Sequence, residues 1–206
     1  MKLNYLKFME NAKKMVKNVT TRPVLKGVHH DNDGNLTVTD SHRLYHVKNM
    51  NAPKDVIIHA ETGDDITGEH GAYPTVNNLV KMHEYDEPLA QITLYELRDV
   101  ARKLKAMQQL AVAEGLKKDD VRVTIDHTSL DLDNVETVSA SLKLTSVGES
   151  EKVTFKLQYI IELVEFFDDM KMNDLVINIF DTHKPIRVTS STSENILAIV
   201  LPIRRY

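Results

Sequence analysis

The apolar residues of this chain switch between two spacings, and the order of the switches limits the folds open to it. A helical stripe comes first, with Leu3, Leu6, Met9 and Val16 on it and Phe8 and Met15 beside it. Lys7, Lys13, Lys14 and Lys17 lie mainly off that stripe. Arg22-Pro23 ends it, because proline disfavours helix in the residue before it. Strand patterns follow at 24–30, 36–39, 44–47 and 56–59, with Asp31-Asn32-Asp33-Gly34 as a hairpin signal and Asp40-Ser41-His42-Arg43 as a polar break. Residues 72–88 keep Val76, Leu79, Val80 and Met82, so they read as an ordered connector rather than a flexible linker. A second helix is predicted to open at Thr93, with Glu96 completing a capping box. It continues through Leu94, Leu97, Ala101, Leu104, Met107 and Val112 to a stop at Gly115. Strand patterns at 121–125, 130–132, 138–144 and 153–157 lead to a third helix over 158–170, then to strands at 175–180, 186–188 and 196–203.

Single helices followed by groups of strands form an approximate internal repeat. They point to an α+β fold with antiparallel sheets rather than to alternating parallel βαβ units. The connector divides the chain into modules at 1–86 and 87–206. At 206 residues the chain is long enough to bury a sizeable core, and 42% hydrophobic with 27% charged residues is ordinary for a globular protein.

Several chemistries are set aside by composition and spacing. The absence of cysteine excludes disulfides, thiolate catalysis and cysteine-built zinc sites, and makes a cytoplasmic setting the expectation. No apolar run approaches the roughly 18 residues needed to span a bilayer, so no membrane is expected. His29-His30-Asp31 with Asp33 invites a metal reading, but adjacent strand residues point to opposite faces and cannot easily share an ion. Asp31-Asn32-Asp33-Gly34 fails as a calcium loop, because its glycine comes too early and His42 stands where the bidentate glutamate belongs. Asp40-Ser41-His42 lacks nucleophile-elbow glycines, and no glycine-rich loop is present to cradle a phosphate. The expectation is a non-enzyme with no metal and no cofactor. A net charge of −4 argues against whole-surface affinity for nucleic acid, yet leaves room for a local basic face.

Two stretches carry a resemblance. Arg22-Pro23-Val24-Leu25-Lys26-Gly27-Val28, with Leu36-Thr37-Val38-Thr39-Asp40-Ser41-His42-Arg43-Leu44, resembles a strand and turn of the bacterial DNA polymerase III β sliding clamps. Serine stands here in place of that family's usual glycine. Ala198-Ile199-Val200-Leu201-Pro202-Ile203-Arg204 is similar to the family's C-terminal strand. Between them, residues 73–80 resemble the connector before the last domain, and residues 155–167 the helix before the last strands. The resemblance implies a clamp-like fold with helices on one face and antiparallel sheets on the other. Module 1–86 matches the family's middle domain in shortened form, without room for a second helix, and 87–206 matches the last domain.

The resemblance further implies a replication accessory factor that tethers partners to double-stranded DNA and binds peptides of polymerase and clamp loader. The peptide groove would use Thr39, Ser41, His42, Arg43 and Leu44 with Val200, Leu201, Pro202, Ile203 and Arg204. Leu44, Val200, Leu201 and Ile203 would form an apolar floor, with Arg43 and Arg204 holding a carboxylate or carbonyl. The DNA-facing residues would be Lys7, Lys13, Lys14 and Lys17 on the first helix and Arg98, Arg102, Lys103 and Lys105 on the second. A solvated helix face is the alternative for such a basic run. Against the ring stands the third helix, whose Glu162, Glu165, Asp168 and Asp169 would repel DNA inside a channel. A homo-oligomer is expected, with closed trimer, open dimer and monomer all left open. The alternative function is a regulator or decoy that keeps the groove and does not encircle DNA.

Overall fold

A computed structural model describes residues 4–50, 52–53, 55–82, 84, 86–133 and 140–203. The first helix, α1 (Tyr5–Val16), starts where the Asn4 side chain accepts the Lys7 N–H at 3.3 Å. Its buried face runs through Phe8, Asn11, Ala12 and Met15, and Leu6 is 70% exposed. The stripe expected through Leu6 is therefore rotated toward Phe8, whose ring meets Phe166 edge-on at 6.0 Å. Pro23–Lys26 forms a 3₁₀ turn rather than the start of a strand, with proline at its first position where the fixed φ suits a helical turn. The strand begins only at Gly27. A Cβ there would lie 2.3 Å from Ile57 Cγ2, so this close crossing of two strands requires glycine.

Four strands follow: β1 (Gly27–His30), β2 (Leu36–Thr39), β3 (Arg43–Val47) and β4 (Val56–His59). The β1–β2 hairpin closes as its sequence suggests, with Asp31 Oδ1 accepting from the N–H groups of Asp33 (2.9 Å) and Asn35 (2.8 Å). The connector holds one short helical turn, α2 (Asn77–Val80). The capping box at Thr93 and Glu96 does not form. Residues 90–95 are instead a strand, β5 (Ala90–Tyr95), and α3 (Leu97–Ala113) begins after Glu96 in a left-handed conformation (φ 51°) with no side-chain cap. Period-two burial of Ala90, Ile92 and Leu94 on the sheet wins over the local cap signal.

The remaining elements are β6 (Arg122–Ile125), β7 (Ser129–Asp133), β8 (Ser141–Lys143), β9 (Thr145–Gly148), β10 (Val153–Lys156), α4 (Leu157–Asp169), β11 (Asp174–Ile179), β12 (Ile186–Ser190) and β13 (Ser193–Val200). Val138, read as part of a strand, and Leu3, read on the first helix, lie outside the described residues. No helix among the described residues is long and apolar enough to cross a membrane.

All the pairings among the described residues are antiparallel. They build one sheet in the order β4-β1-β2-β3-β13-β12-β11-β5-β9 and a second in the order β10-β6-β7-β8. The large sheet has a local pseudo-twofold at the β3–β13 seam: β2, β1 and β4 succeed one another outward on one side as β12, β11 and β5 do on the other. Each half also sets its own helix, α1 or α4, before its three central strands. This is the internal repeat visible in the sequence. One core links the helices and both sheets, centred on Phe166 of α4, which stacks on Tyr45 of β3 at 4.1 Å and meets Phe167 edge-on at 5.6 Å.

At the outer edge of β4 the chain folds back on itself. The Ile57 N–H donates to Thr67 Oγ1 (2.8 Å) and the Ile57 carbonyl accepts from the Ile66 N–H (2.9 Å). The His59 N–H donates to the Asp64 carbonyl (2.8 Å) and the His59 carbonyl accepts from the Gly63 N–H (2.9 Å).

Candidate functional site at the β3–β13 seam and the helical face

The polar break is a tight turn organised by Asp40. Its Oδ1 accepts from the N–H groups of His42 (2.9 Å) and Arg43 (3.0 Å), while Thr39 Oγ1 donates to the Arg43 carbonyl (2.7 Å) and accepts from the Ser41 N–H (3.1 Å). Ser41 sits at φ 76°, a left-handed backbone that glycine adopts freely and serine does not. The serine that departs from the resembling turn thus occupies a strained position. The C-terminal segment meets this turn directly. β13 pairs with β3, setting Val200 opposite Arg43 and Ile199 opposite Leu44, and the Leu201 N–H donates to the His42 carbonyl at 2.9 Å.

Strand alternation gives the seam two unlike sides. On the helix side, the turn lines a cavity of about 570 Å³ with Leu25, Lys156 and Tyr159 among its walls. Arg43 reaches into its floor, where Nε meets Asp40 Oδ2 at 2.9 Å and Nη1 meets Glu162 Oε2 at 2.6 Å. The guanidinium lies 4.4 Å from the Tyr159 ring centre. On the other side, Leu44 packs with Val76, Leu197 and Ile199, and Val80 and Met82 of the connector lie over them. Arg187 pins that connector by donating Nη1 to the carbonyls of Val80 (2.7 Å) and Met82 (3.2 Å).

This geometry corrects the expected groove in three ways. Leu44 and Val200 are 2% and 0% exposed, so neither is an open floor; the chain's own connector covers Leu44. Arg43 is buried and held by two carboxylates, which removes it as a free anchor for a ligand. Thr39 is buried and spends its hydroxyl inside the turn. Ser41, His42 and Leu201 are exposed, Pro202 and Ile203 half-buried, and the Ile203 N–H donates to the Thr154 carbonyl at 2.8 Å. Arg204 lies outside the described residues. Leu25, Tyr159 and Val76 also border the seam, outside the candidate site residues. Tyr159 arrives on α4, an element distant in sequence, while Leu25 and Val76 lie in stretches that carry the resemblance but have no groove role in it.

The helical face brings the expected DNA-facing residues together, and it brings acids with them. α4 lies between α1 and α3. Glu165 meets Lys14 (3.5 Å) from one side and Lys105 (2.5 Å) from the other. Asp168 meets Arg98 at 3.0 Å, and Asp169 lies 4.0 Å from Lys7, which also meets Glu10 at 2.7 Å. Lys13 pairs with Glu61 (3.2 Å), and Arg102 (3.4 Å) and Lys103 (2.7 Å) share Asp99. Only Lys17 of the eight has no carboxylate within ion-pair distance among the described residues. Glu162, read as another repelling charge on this face, is turned instead to buried Arg43.

The two adjacent histidines separate as strand geometry requires. His29 stacks on Tyr73 with ring centres 5.2 Å apart, whereas His30 is enclosed under α1 with Nε2 3.1 Å from the Tyr5 hydroxyl.

No protein-family model matches the chain, and no curated protein matches it by sequence. Solved structures match it along nearly its whole length. The β subunit of DNA polymerase III from Thermotoga maritima aligns with 97% of the chain at 14% identity and a TM-score of 0.67. The DNA polymerase sliding clamp from Bacillus subtilis aligns with 98% at 17% identity and 0.67, and the polymerase β subunit from Streptococcus pyogenes with 100% at 17% identity and 0.69. The chain spans 64%, 63% and 68% of those three structures. Its fold is therefore that of the bacterial DNA polymerase III β sliding clamps, over about two thirds of their length.

Proposed function

We propose that the protein is a clamp-like replication accessory factor whose seam between β3 and β13 captures short peptides of polymerase or clamp loader. The observation that carries this reading is the union of the Asp40–Arg43 turn with the strand end at Leu201, through a backbone hydrogen bond and beside a 570 Å³ cavity. A peptide would lay an apolar side chain against Leu201, which is 39% exposed, and direct polar groups toward His42 and Lys156. Burying two or three side chains with a few backbone hydrogen bonds corresponds to about 8 kcal/mol, or micromolar affinity. Modules 1–86 and 87–206 would play the parts of a shortened middle domain and a last domain.

The test is a titration of a fluorescent peptide from a replicative polymerase's clamp-binding segment. We expect wild-type protein to bind and Leu201→Asp to weaken binding at least tenfold with no change in thermal midpoint, since the side chain is partly exposed. Equal binding by both, or none by either, removes the seam as a peptide site.

A second reading, a regulator that captures the same peptides without encircling DNA, is favoured by the ion pairing of the helical face. Retention on circular but not linearised DNA separates the two: an encircling clamp is retained, and the regulator is not.

A further inference from the structure

A groove of about 460 Å³ runs between α1 and α3, walled by Lys7, Lys14, Arg98 and Lys105 and floored by Glu165 and Asp168 of α4. The carboxylates are held in place and are not merely near the bases. Arg98 Nε reaches both oxygens of Asp168, at 3.0 and 3.3 Å, and Asn11 Nδ2, which also donates to the Lys7 carbonyl at 2.8 Å, donates to Asp169 Oδ2 at 2.9 Å. Glu165, Asp168 and Asp169 are 23%, 30% and 27% exposed, so they stand at the same surface as the cations they face.

We infer that α4 is a built-in counter-ion for this face, holding duplex DNA off until its carboxylates are neutralised. The inference rests on the proposed reading of the helical face as the DNA side. A lysine that meets a phosphate normally releases a condensed mobile ion, and that release drives the salt-sensitive part of binding. A lysine already balanced by a fixed carboxylate releases none, and the carboxylate stays beside the incoming phosphate. The strength of any single pair is not what matters, since exposed ion pairs are weak. The fixed charges remain within a Debye length of about 10 Å at 0.1 M salt wherever the lysine side chains swing.

The test measures anisotropy of a labelled 30-base-pair duplex across a salt series, for wild type and for the double variant Glu165→Gln, Asp168→Asn. The variant frees Lys14, Lys105 and Arg98. Its binding at low salt should rise about tenfold or more, and its log–log salt slope should steepen by about 2 to 3, at roughly 0.9 per phosphate newly contacted. Two controls make the gain specific. Glu149→Gln, Glu151→Gln removes the same charge at exposed positions off this face and should leave binding at the wild-type level. Adding Lys14→Gln and Lys105→Gln to the unmasked variant should cancel most of the gain. If the double variant binds no better than wild type while both bind, the counter-ion role is overturned and the DNA-facing reading survives. If neither binds even at 25 mM salt, both fall. An equal gain from the distant control would show an effect of net charge alone and would also overturn the inference.

Discussion

Arg43 of β3 turns its side chain to the helix side of the sheet, where it is buried. Its guanidinium sits among Asp40, Glu162 and the Tyr159 ring, tying the β2–β3 turn to α4. Removing one member of a buried ionic cluster leaves the others uncompensated, which costs about 3–5 kcal/mol. Arg43→Met should therefore lower the urea midpoint by that equivalent, and adding Glu162→Gln should restore part of it. A loss below about 1 kcal/mol would show that the cluster is solvated in solution. From sequence, this arginine in a polar turn reads as exposed. What buries it is α4, about 120 residues further on, and nothing local announces that arrival. Ser41 is the converse case. Its departure from glycine was visible in the sequence, and the left-handed φ gives the departure a physical meaning.

Strands β1 and β3 each carry a histidine that burial keeps uncharged, on opposite faces of the sheet. His46 of β3 is bonded to Thr37 Oγ1 at 2.9 Å, and burial lowers its pKa from 6.5 to about 4, with Asp31 working against the shift. Burial also lowers the pKa of His30 in β1. Unfolding lets both bind protons they refuse when folded, so their contribution is complete above about pH 6.5 and is lost as pH falls toward 4. For His46 alone the loss between pH 7.5 and 4.5 is about 2–3 kcal/mol. Urea midpoints at those two pH values should fall accordingly, and His46→Gln should flatten the difference. A variant with an unchanged pH dependence would show that His46 titrates normally in the folded chain.

Strand periodicity made these elements legible, together with the hairpin at Asp31-Gly34 and the helix over 158–170. Two boundaries were not. Thr93 and Glu96 carry a capping signature, but Ala90, Ile92 and Leu94 bury against β11, and tertiary burial decided the outcome. Likewise Pro23–Lys26 is helical because proline's φ suits a turn there, although its apolar residues suggested strand.

At the level of the whole molecule, the repeat is legible in the residue pattern and the seam is not. The pseudo-twofold that sets β3 beside β13 joins segments about 150 residues apart, and the same arrangement slides α4 between α1 and α3. Charge patterns along single helices showed basic faces and an acidic one; only their packing shows that the two cancel. The large sheet ends differently on its two sides. At β4, the outward backbone groups of Ile57 and His59 are all taken by residues 63–67, whereas β9 has no neighbour beyond it among the described residues and leaves Val147 76% exposed. Polymer chemistry has a name for a unit with one live end and one dead end: it is a chain stopper. Copies joined through the large sheet can couple once, β9 to β9, and then that sheet offers no second open edge among the described residues, so light scattering should find no trimer linked through it.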